Sequence, residues 1–260
     1  MILHIVKSGL WEHSVISDRR GESYMAKVGA FIVLEGIDGS GKTTQAAYLA
    51  GALQAKGYDV VLTKEPGGTP FGEGIKPLIT ENPQLAPETR LALLMAARAE
   101  HVRKVVKPAL DAGRIVVCDR FLMTTMAYQT ADGIPPKIVM AMHTAVTVGI
   151  EPDITVYLDI PVKVAADRAG YRQKATGEQV SVFEAREGFM TKVSGMYNLL
   201  ARGVPVDGVR IKSGELLRVD GSADVDAIKR TIETGVIKSL YTMETRRKAA
   251  SLAKLVGLNR

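Results

Sequence analysis

The sequence predicts an α/β fold in which a parallel sheet of about five strands carries helices on both faces. Short apolar runs alternate along the chain with longer segments of helical periodicity. These runs are continuously apolar, which is typical of strands that are buried on both faces of a sheet. The chain has 260 residues, of which 46% are hydrophobic, and this is enough to build a packed core around such a sheet.

The predicted elements follow one another in strand and helix order. The first strand is AFIVLEG at 30–36, and the helix after it covers 42–56 and ends at Gly57. Further strands are predicted at 59–63, 114–119, 153–160 and 215–220. Further helices are predicted at 87–112, across about 121–149, at 161–170, at 183–201 and from about 223. The segment EPGGTPFGEG at 65–74 is predicted to be a loop because it is rich in glycine and proline.

The two ends of the chain depart from this pattern. Residues 1–24 show no sustained period, and MAKVGAFIVLEG from Met25 would make an ordinary start, so we expect a leader that is either disordered or an upstream-start artefact. The main domain is expected at 25–240. Residues 241–260 hold most of the net charge of +6, and we expect a basic helical tail there. Leu252, Leu255 and Val256 lie at helical spacing, so we expect this apolar side of the tail to dock on the rest of the protein. The alternative is an arm that binds nucleic acid or a membrane.

Composition argues against several classes of protein. No apolar run approaches the roughly 20 residues that span a bilayer, and the N-terminus lacks the order of a signal peptide. The single cysteine, Cys118, excludes a disulfide framework and is predicted to be a buried residue in a reducing compartment. We therefore expect a cytoplasmic protein with no membrane partner, and we do not expect nucleic acid as a partner.

The most specific single motif is FIVLEGIDGSGKTTQ at 31–45. It fits G-x-x-x-x-G-K-[ST], the phosphate-binding P-loop, and it lies between a predicted strand and a predicted helix. Backbone N–H groups and the helix N-terminus of such a loop bind phosphate oxygens. Lys42 is expected to reach the β- and γ-phosphates of ATP, and the Thr43 hydroxyl to bind Mg²⁺. The residues expected to bind ATP here are Gly36, Gly39, Ser40, Gly41, Lys42, Thr43 and Thr44.

A P-loop does not identify the group that receives the phosphate. The segments EGIDGSGKTTQ, EPGGT, DRF…AYQ and PDITVYLDIP occur in this order between about 30 and 235, and through them the chain resembles the thymidylate kinases. The resemblance implies a P-loop NTPase-type sheet and transfer of the γ-phosphate of ATP to dTMP, with Mg²⁺, by direct in-line displacement for dTTP synthesis. It also implies a homodimer and a small mobile lid, at about 170–184 here, that closes over ATP.

The resemblance assigns charged residues to the acceptor and to catalysis. Arg98 and Arg120 match arginines that hold the acceptor phosphate, and Lys76 stands where the family usually has arginine. Cations are needed there because the reaction brings two anions together. Asp38 and Glu65 match carboxylates that address the sugar hydroxyl and the water shell of the metal. The expected catalytic residues are Asp38, Lys42, Arg120 and Arg172.

The resemblance also assigns residues on the segment after the third strand. Asp119, which ends that strand, is expected to contact a water on Mg²⁺. Tyr128 matches the residue that excludes a ribose 2′-hydroxyl, and Gln129 matches the amide that reads the thymine edge. Thr124 and Thr125 fill acceptor positions where serine or asparagine is common.

The chain departs from the family pattern in two places. Leu94 stands where a phenylalanine usually stacks on thymine, which leaves the base open. The P-loop holds no arginine and the lid lacks the usual Asp-Arg pair, so Arg172 and Lys174 are the candidates for the lid cation. Arg168 matches the arginine that stacks on adenine. His101 and His143 have no metal-ligand spacing and are predicted to be structural.

Three alternatives therefore stay open. The first is a kinase of another deoxynucleoside monophosphate, including a purine one. The chain would also fit a nucleotide-binding regulator that has lost turnover. A P-loop ATPase that acts on nucleic acid through the basic tail is the third.

Overall fold

A parallel sheet organises the chain, of which the computed structural model describes residues 2–8, 11–17, 29–176 and 186–255. Within those residues the strands are β1 (Ile2–Ser8), β2 (Trp11–Ser17), β3 (Ala30–Glu35), β4 (Val60–Lys64), β5 (Ile115–Asp119), β6 (Ile154–Asp159) and β7 (Glu215–Asp220). The last five lie in the order β4-β5-β3-β6-β7, and every neighbouring pair is parallel. The predicted sheet of about five strands is confirmed.

Helices connect consecutive strands of the sheet. In chain order they are α1 (Lys42–Ala55), α2 (Pro70–Thr80), α3 (Pro87–His101), α4 (Lys107–Asp111), α5 (Leu122–Ala131), α6 (Pro136–Thr147), α7 (Val162–Thr176), α8 (Phe189–Ala201) and α9 (Val225–Leu255). A π-helical segment, Val102–Val106, joins α3 to α4. Among the described residues, no helix combines the length and the apolar character needed to cross a membrane.

Each face of the sheet is covered by its own hydrophobic core. On one face, Leu49 and Leu53 of α1 and Ile232 of α9 pack against β3 and its neighbours. On the other face, side chains of α3, α5, α6 and α8 form a second core around residues such as Phe121 and Tyr197. Cys118 on β5 is fully buried in this second core, as its apolar surroundings in the sequence predicted.

The predicted loop at 65–74 was wrong in its second half, where α2 begins. Thr69 caps this helix, since its hydroxyl accepts a hydrogen bond from the backbone N–H of Gly72 at 3.0 Å. Pro70 follows at the first helical position, where a missing N–H costs nothing. The threonine followed by a proline was thus a helix-start signal, and the prediction overlooked it because the segment is rich in glycine.

The predicted helix at 87–112 is interrupted, because Val102–Val106 is π-helical. Pro108 near the start of α4 has no N–H to donate, and a local change of helical pitch accommodates it. Two other helix predictions were wrong in length. The helix predicted at 161–170 continues to Thr176, and the one predicted at 183–201 begins at Phe189.

Parts of both ends of the chain have regular structure. Strands β1 and β2 form an antiparallel hairpin in which Ile2 pairs with Ser17 and Ser8 with Trp11, so this part of the leader has regular structure. The many β-branched residues of both segments favour strands. At the other end, α9 continues past residue 240 to Leu255 without a break. The expected docking residues Leu252, Leu255 and Val256 lie outside the part whose side chains are described.

Candidate active site

The loop between β3 and α1 passes close to neighbouring backbone at its glycines. A Cβ atom on Gly39 would lie 2.2 Å from the carbonyl oxygen of Ala165, and one on Gly36 would lie 2.7 Å from that of Leu158. Both glycines also have a positive φ, of 81° and 149°. Only glycine fits these positions, so the loop keeps the open backbone that phosphate binding requires.

Lys42 lies folded against this loop. Its Nζ donates hydrogen bonds to the carbonyl oxygen of Ile37 at 2.8 Å and to Oγ of Ser40 at 3.5 Å. Burial and the positive charge of Arg120 lower the pKa of Lys42 to about 8, against the opposing effect of Asp38 and Asp119. The ammonium group is thus held at the mouth of the loop, where a bound phosphate would replace the carbonyl of Ile37.

Thr43 and Asp119, predicted to serve a Mg²⁺ ion, lie together. The Thr43 hydroxyl donates to Oδ2 of Asp119 at 2.5 Å. Among the described contacts, Oδ1 of Asp119 is buried without a hydrogen-bond partner. A hydroxyl and a carboxylate are the oxygen donors that Mg²⁺ prefers, so these residues fit the ion. The described residues hold no group of three carboxylates, histidines or cysteines that could bind a metal alone, and Mg²⁺ beside phosphates does not need one.

Asp38, Arg120 and Tyr128 form a cluster at the edge of the P-loop. Arg120 donates to Oδ1 of Asp38, and the Tyr128 hydroxyl donates to Oδ2 at 3.0 Å. Burial raises the pKa of Asp38, but Arg120, Lys42 and Tyr128 outweigh it and bring that pKa to about 2. Arg120 is therefore paired with Asp38 of the P-loop rather than with its chain neighbour Asp119. Its positive φ of 75° is stabilised by a bond from its N–H to the carbonyl of Leu34 at 3.0 Å.

Arg98 is the centre of a second, more deeply buried cluster. The side chain is only 3% exposed. It donates to Oε2 of Glu65 at 2.7 Å and to Nδ1 of His143 at 3.1 Å, and also to the carbonyl of Phe121 and to Oγ1 of Thr125. Within the described contacts these bonds use four of the five N–H groups of a guanidinium, which leaves one for a ligand.

The two predicted structural histidines belong to this second cluster. His101 lies 3.0 Å through Nδ1 from Oε1 of Glu65, and 2.7 Å through Nε2 from Oγ1 of Thr63. His143 is kept neutral because burial and the charge of Arg98 lower its pKa to about 3. Although burial raises the pKa of Glu65, Arg98 and His101 hold it below its usual range. The histidines thus fix the orientation of Glu65 and Arg98.

Glu35 is a site residue that the sequence reasoning missed. It ends β3 one residue before the P-loop and is fully buried. Its two oxygens accept from the backbone N–H groups of Phe121 at 2.9 Å and of Thr124 at 3.0 Å, from the Thr124 hydroxyl at 2.6 Å and from the Tyr197 hydroxyl at 3.2 Å. These N–H groups belong to the start of α5, so Glu35 caps that helix from another element. A carboxylate inside an apolar strand was the signal in the sequence.

The other predicted acceptor residues are distributed along α2, α3 and α5. Lys76 is exposed on α2, and Leu94 on α3 is partly buried against the core. Gln129 is buried, and its Oε1 has no hydrogen-bond partner among the described contacts. Thr124 and Thr125 are both engaged within the protein, the first with Glu35 and the second with Arg98. The hydroxyls of both threonines are thus bonded within the protein, and their acceptor role stays a prediction.

Arg168 lies on α7 against the loop that follows β7. Its guanidinium donates to the carbonyl oxygens of Gly221 at 2.6 Å, Ser222 at 3.3 Å and Ala223 at 3.5 Å. These contacts hold the guanidinium of Arg168 against the loop after β7, and its stacking on adenine stays a prediction. Arg172 lies on α7, but its side chain is outside the described residues, as are residues 177–184 of the expected lid.

Comparison with known proteins gives a consistent result. The family model described as thymidylate kinase matches residues 34–206. A thymidylate kinase of Pseudomonas fluorescens is 40% identical over 200 residues, which make up 75% of this chain and 93% of that protein. One of Desulfovibrio desulfuricans is 44% identical over 150 residues, or 56% of this chain and 69% of that protein. The crystal structure of a thymidylate kinase from Ehrlichia chaffeensis matches with a TM-score of 0.61 and 31% identity, and covers 82% of this chain and 99% of that one.

Proposed function

The chain belongs to the thymidylate kinase family of enzymes, and from this we propose that it transfers the γ-phosphate of ATP directly to dTMP, in the presence of Mg²⁺. A phosphate oxygen of dTMP attacks the γ-phosphorus, the bond from that phosphorus to the β,γ-bridging oxygen breaks, and ADP leaves with the electron pair. The observation that carries the proposal is the joining of the P-loop to the acceptor cluster through Asp38, Arg120 and Tyr128.

The donor side of the reaction is supported by the P-loop and its surroundings. Lys42 and the backbone N–H groups of the loop bind the β- and γ-phosphates, and Arg168 with the loop after β7 bounds the adenine. Thr43 and Asp119 would hold Mg²⁺, which offsets charge on the β- and γ-phosphate oxygens when it is bound. Oδ2 of Asp119 stays bonded to the Thr43 hydroxyl, and this bond fixes the direction in which Oδ1 points.

The acceptor side is supported by buried side chains that are already oriented. Arg120 directs its charge toward the junction of the two substrates, and the remaining N–H group of Arg98 is available to the acceptor. The Tyr128 hydroxyl is bonded to Asp38, so the ring is fixed where it would exclude a 2′-hydroxyl. The unpaired amide oxygen of Gln129 accepts a hydrogen bond from the N3–H of thymine in this proposal.

A kinase of a different deoxynucleoside monophosphate is the second candidate, because Leu94 gives the base no aromatic ring to stack on. Base-aromatic stacking is worth about 1 to 3 kcal/mol, which is enough to change the preferred base. The phosphate-binding parts of the site would serve that reaction equally well.

We extend the proposal to assembly and location. Phe71 and Leu78 on one face of α2 are about half exposed, at 50% and 49%, and so is Ile138 on α6 at 50%. Apolar side chains of this size on helices that border α3 favour a homodimer through that side. A cytoplasmic location fits the buried free thiol of Cys118 and the nucleotide substrates.

The decisive experiment is a coupled ADP-release assay with a panel of dTMP, dUMP, dGMP, dAMP and dCMP. The proposal predicts that dTMP has the highest kcat/KM and that omission of Mg²⁺ abolishes turnover. A purine monophosphate as the best substrate would select the second candidate. Tight ATP binding with no ADP release for any acceptor would indicate a regulator, and stimulation by DNA alone would indicate a nucleic-acid ATPase.

A further inference from the structure

A cavity of about 300 Å³ opens beside the P-loop. Its walls are Ile37 and Asp38 of the loop, the alanine-rich side of α7, and the segment 186–191 at the start of α8. Among the described residues that line it, Arg186 is the only one with a positive charge. Since Asp38 touches both this cavity and the Arg120 cluster, the cavity adjoins the point where the two substrates meet.

Arg186 is held at the rim of the cavity by contacts that can be broken. Its Nη1 donates to Oδ1 of Asp132 at 2.5 Å, and its guanidinium lies 4.4 Å over the ring of Phe189. The side chain of Arg186 is 49% exposed, so water screens this ion pair. Asp132 itself is 3% exposed and lies 3.4 Å from Nη2 of Arg90. If Arg186 moves away, the buried carboxylate keeps a cationic partner.

Three other described cations near the P-loop are held by contacts of their own. Arg120 is bound to Asp38, and Arg98 uses most of its donors on Glu65, His143 and its other partners. Lys42 approaches the phosphates from the side of the P-loop only. Phosphoryl transfer spreads negative charge over the oxygens of the migrating group, and a mobile arginine that reaches these oxygens from another side accelerates it strongly.

We propose that Arg186 is a catalytic residue that leaves Asp132, enters the cavity beside Asp38 and contacts the oxygens of the migrating phosphoryl group. It forms and breaks no covalent bond and transfers no proton. Its guanidinium offsets charge while the acceptor oxygen bonds to the γ-phosphorus and the bond to the bridging oxygen of ADP breaks. This inference rests on the proposed kinase function, and it makes Arg186 an alternative to Arg172 and Lys174 as the mobile cation of the site.

The test is steady-state kinetics of Arg186→Ala and Arg186→Lys in the full chain. Arg186→Ala should lower kcat by at least about a hundredfold, which is the effect of removing one preorganised charged donor, while both KM values change by less than about threefold. The kcat of Arg186→Lys should lie between those of the wild type and of Arg186→Ala, because lysine keeps the charge but not the planar guanidinium group. Guanidinium ion added at millimolar concentration should partly restore kcat in Arg186→Ala, which a merely structural role does not predict.

Lys192→Ala is the matched control, since Lys192 is an exposed cation on α8 that does not line the cavity. It should retain wild-type kcat. A kcat for Arg186→Ala above about a third of wild type would overturn the inference, and so would a loss that appears only in KM or is accompanied by unfolding in a thermal melt. If the wild-type protein phosphorylates no nucleotide, the proposed function itself fails. If the wild-type enzyme and Arg186→Ala are equally active, only the role of Arg186 is rejected and the proposed function stands.

Discussion

Replacement of Glu35 by glutamine tests whether the end of β3 positions the acceptor helix. The carboxylate accepts the backbone N–H groups of Phe121 and Thr124, one on each oxygen. A glutamine side chain has one acceptor oxygen, so whichever way the amide is turned, one of these N–H groups faces an NH₂ group. The two hydroxyls of Thr124 and Tyr197 can rotate and accept from the amide instead, because each is both donor and acceptor.

The magnitude follows from this count of partners. One buried N–H left without an acceptor costs about 1 to 3 kcal/mol. Burial raises the pKa of Glu35, which means that the ionised carboxylate is itself disfavoured, and the neutral amide recovers part of the loss. We therefore expect Glu35→Gln to lower the free energy of unfolding by roughly 1 to 2 kcal/mol, or the Tm by about 2 to 8 °C for a domain of this size.

The kinetic consequence should fall on the acceptor. Phe121 and Thr124 begin α5, which carries Tyr128 and Gln129, so a shift of its first turn moves the acceptor residues and not the P-loop. We expect kcat/KM for dTMP to fall by about 10- to 100-fold and KM for ATP to change by less than about twofold. Tyr197→Phe, which removes one donor and leaves both N–H bonds intact, should stay within about threefold of wild type. A Glu35→Gln enzyme with unchanged Tm and unchanged kcat/KM for dTMP would refute the reasoning.

Four further predictions concern single residues. Because the pKa of Lys42 is about 8, ADP affinity measured by calorimetry should weaken as the pH rises through 8, and Lys42→Arg should remove this dependence. The pKa of Asp38 falls from 3.8 to about 2 on folding, so Asp38 contributes about 2 kcal/mol to the free energy of unfolding above pH 3.8, and this contribution is lost as the pH falls toward 2. Acid titration of the wild type and of Asp38→Asn should show this difference in stability, and equal titration curves would contradict it. His143→Leu leaves an N–H of Arg98 unpaired and should lower the free energy of unfolding, measured in urea, by about 1 to 3 kcal/mol. The pH profile of activity should not change between about pH 5 and 8, because His143 is already neutral in that range. Leu94→Phe should raise selectivity for dTMP over dCMP and the purine monophosphates by about 5- to 150-fold in kcat/KM, and an unchanged panel would mean that Leu94 does not face the base.

The sequence predicted those parts of the fold and site that depend on local pattern. The alternation of apolar strands and amphipathic helices was sufficient for the parallel sheet, and the family assignment from four short segments is confirmed. The pairing of Thr43 with Asp119 also followed, because Thr43 begins the helix after β3 and Asp119 ends β5, which is the neighbour of β3 in the sheet. The start of α2 at Pro70 did not follow, because glycine and proline content outweighed its capping threonine.

What could not be predicted depends on contacts between distant segments. Glu35 meets the start of α5 across 86 to 89 positions of the chain, and Arg98 meets His143 across 45. The apolar neighbours of Glu35 mark it as an unusual residue, and His143 was predicted to be structural, but the sequence does not indicate which partner either residue meets. The role proposed for Arg186 could not be predicted for a related reason, since it rests on the cavity that Arg186 shares with Asp38.

The two halves of the site are built in different ways, and this determines where the chain can change its substrate. The donor half depends on backbone groups and on glycines that approach neighbouring backbone, so few substitutions there leave a working loop. The acceptor half depends on side chains whose charges are compensated in closed clusters, in which removal of one member leaves another charge buried and unpaired. Leu94 belongs to neither group, because it is apolar, only partly buried and free of any charged partner. In the proposed acceptor site, we therefore expect substitution of Leu94 to change the preferred base at little cost to folding, and to do so more readily than substitution within the charged clusters.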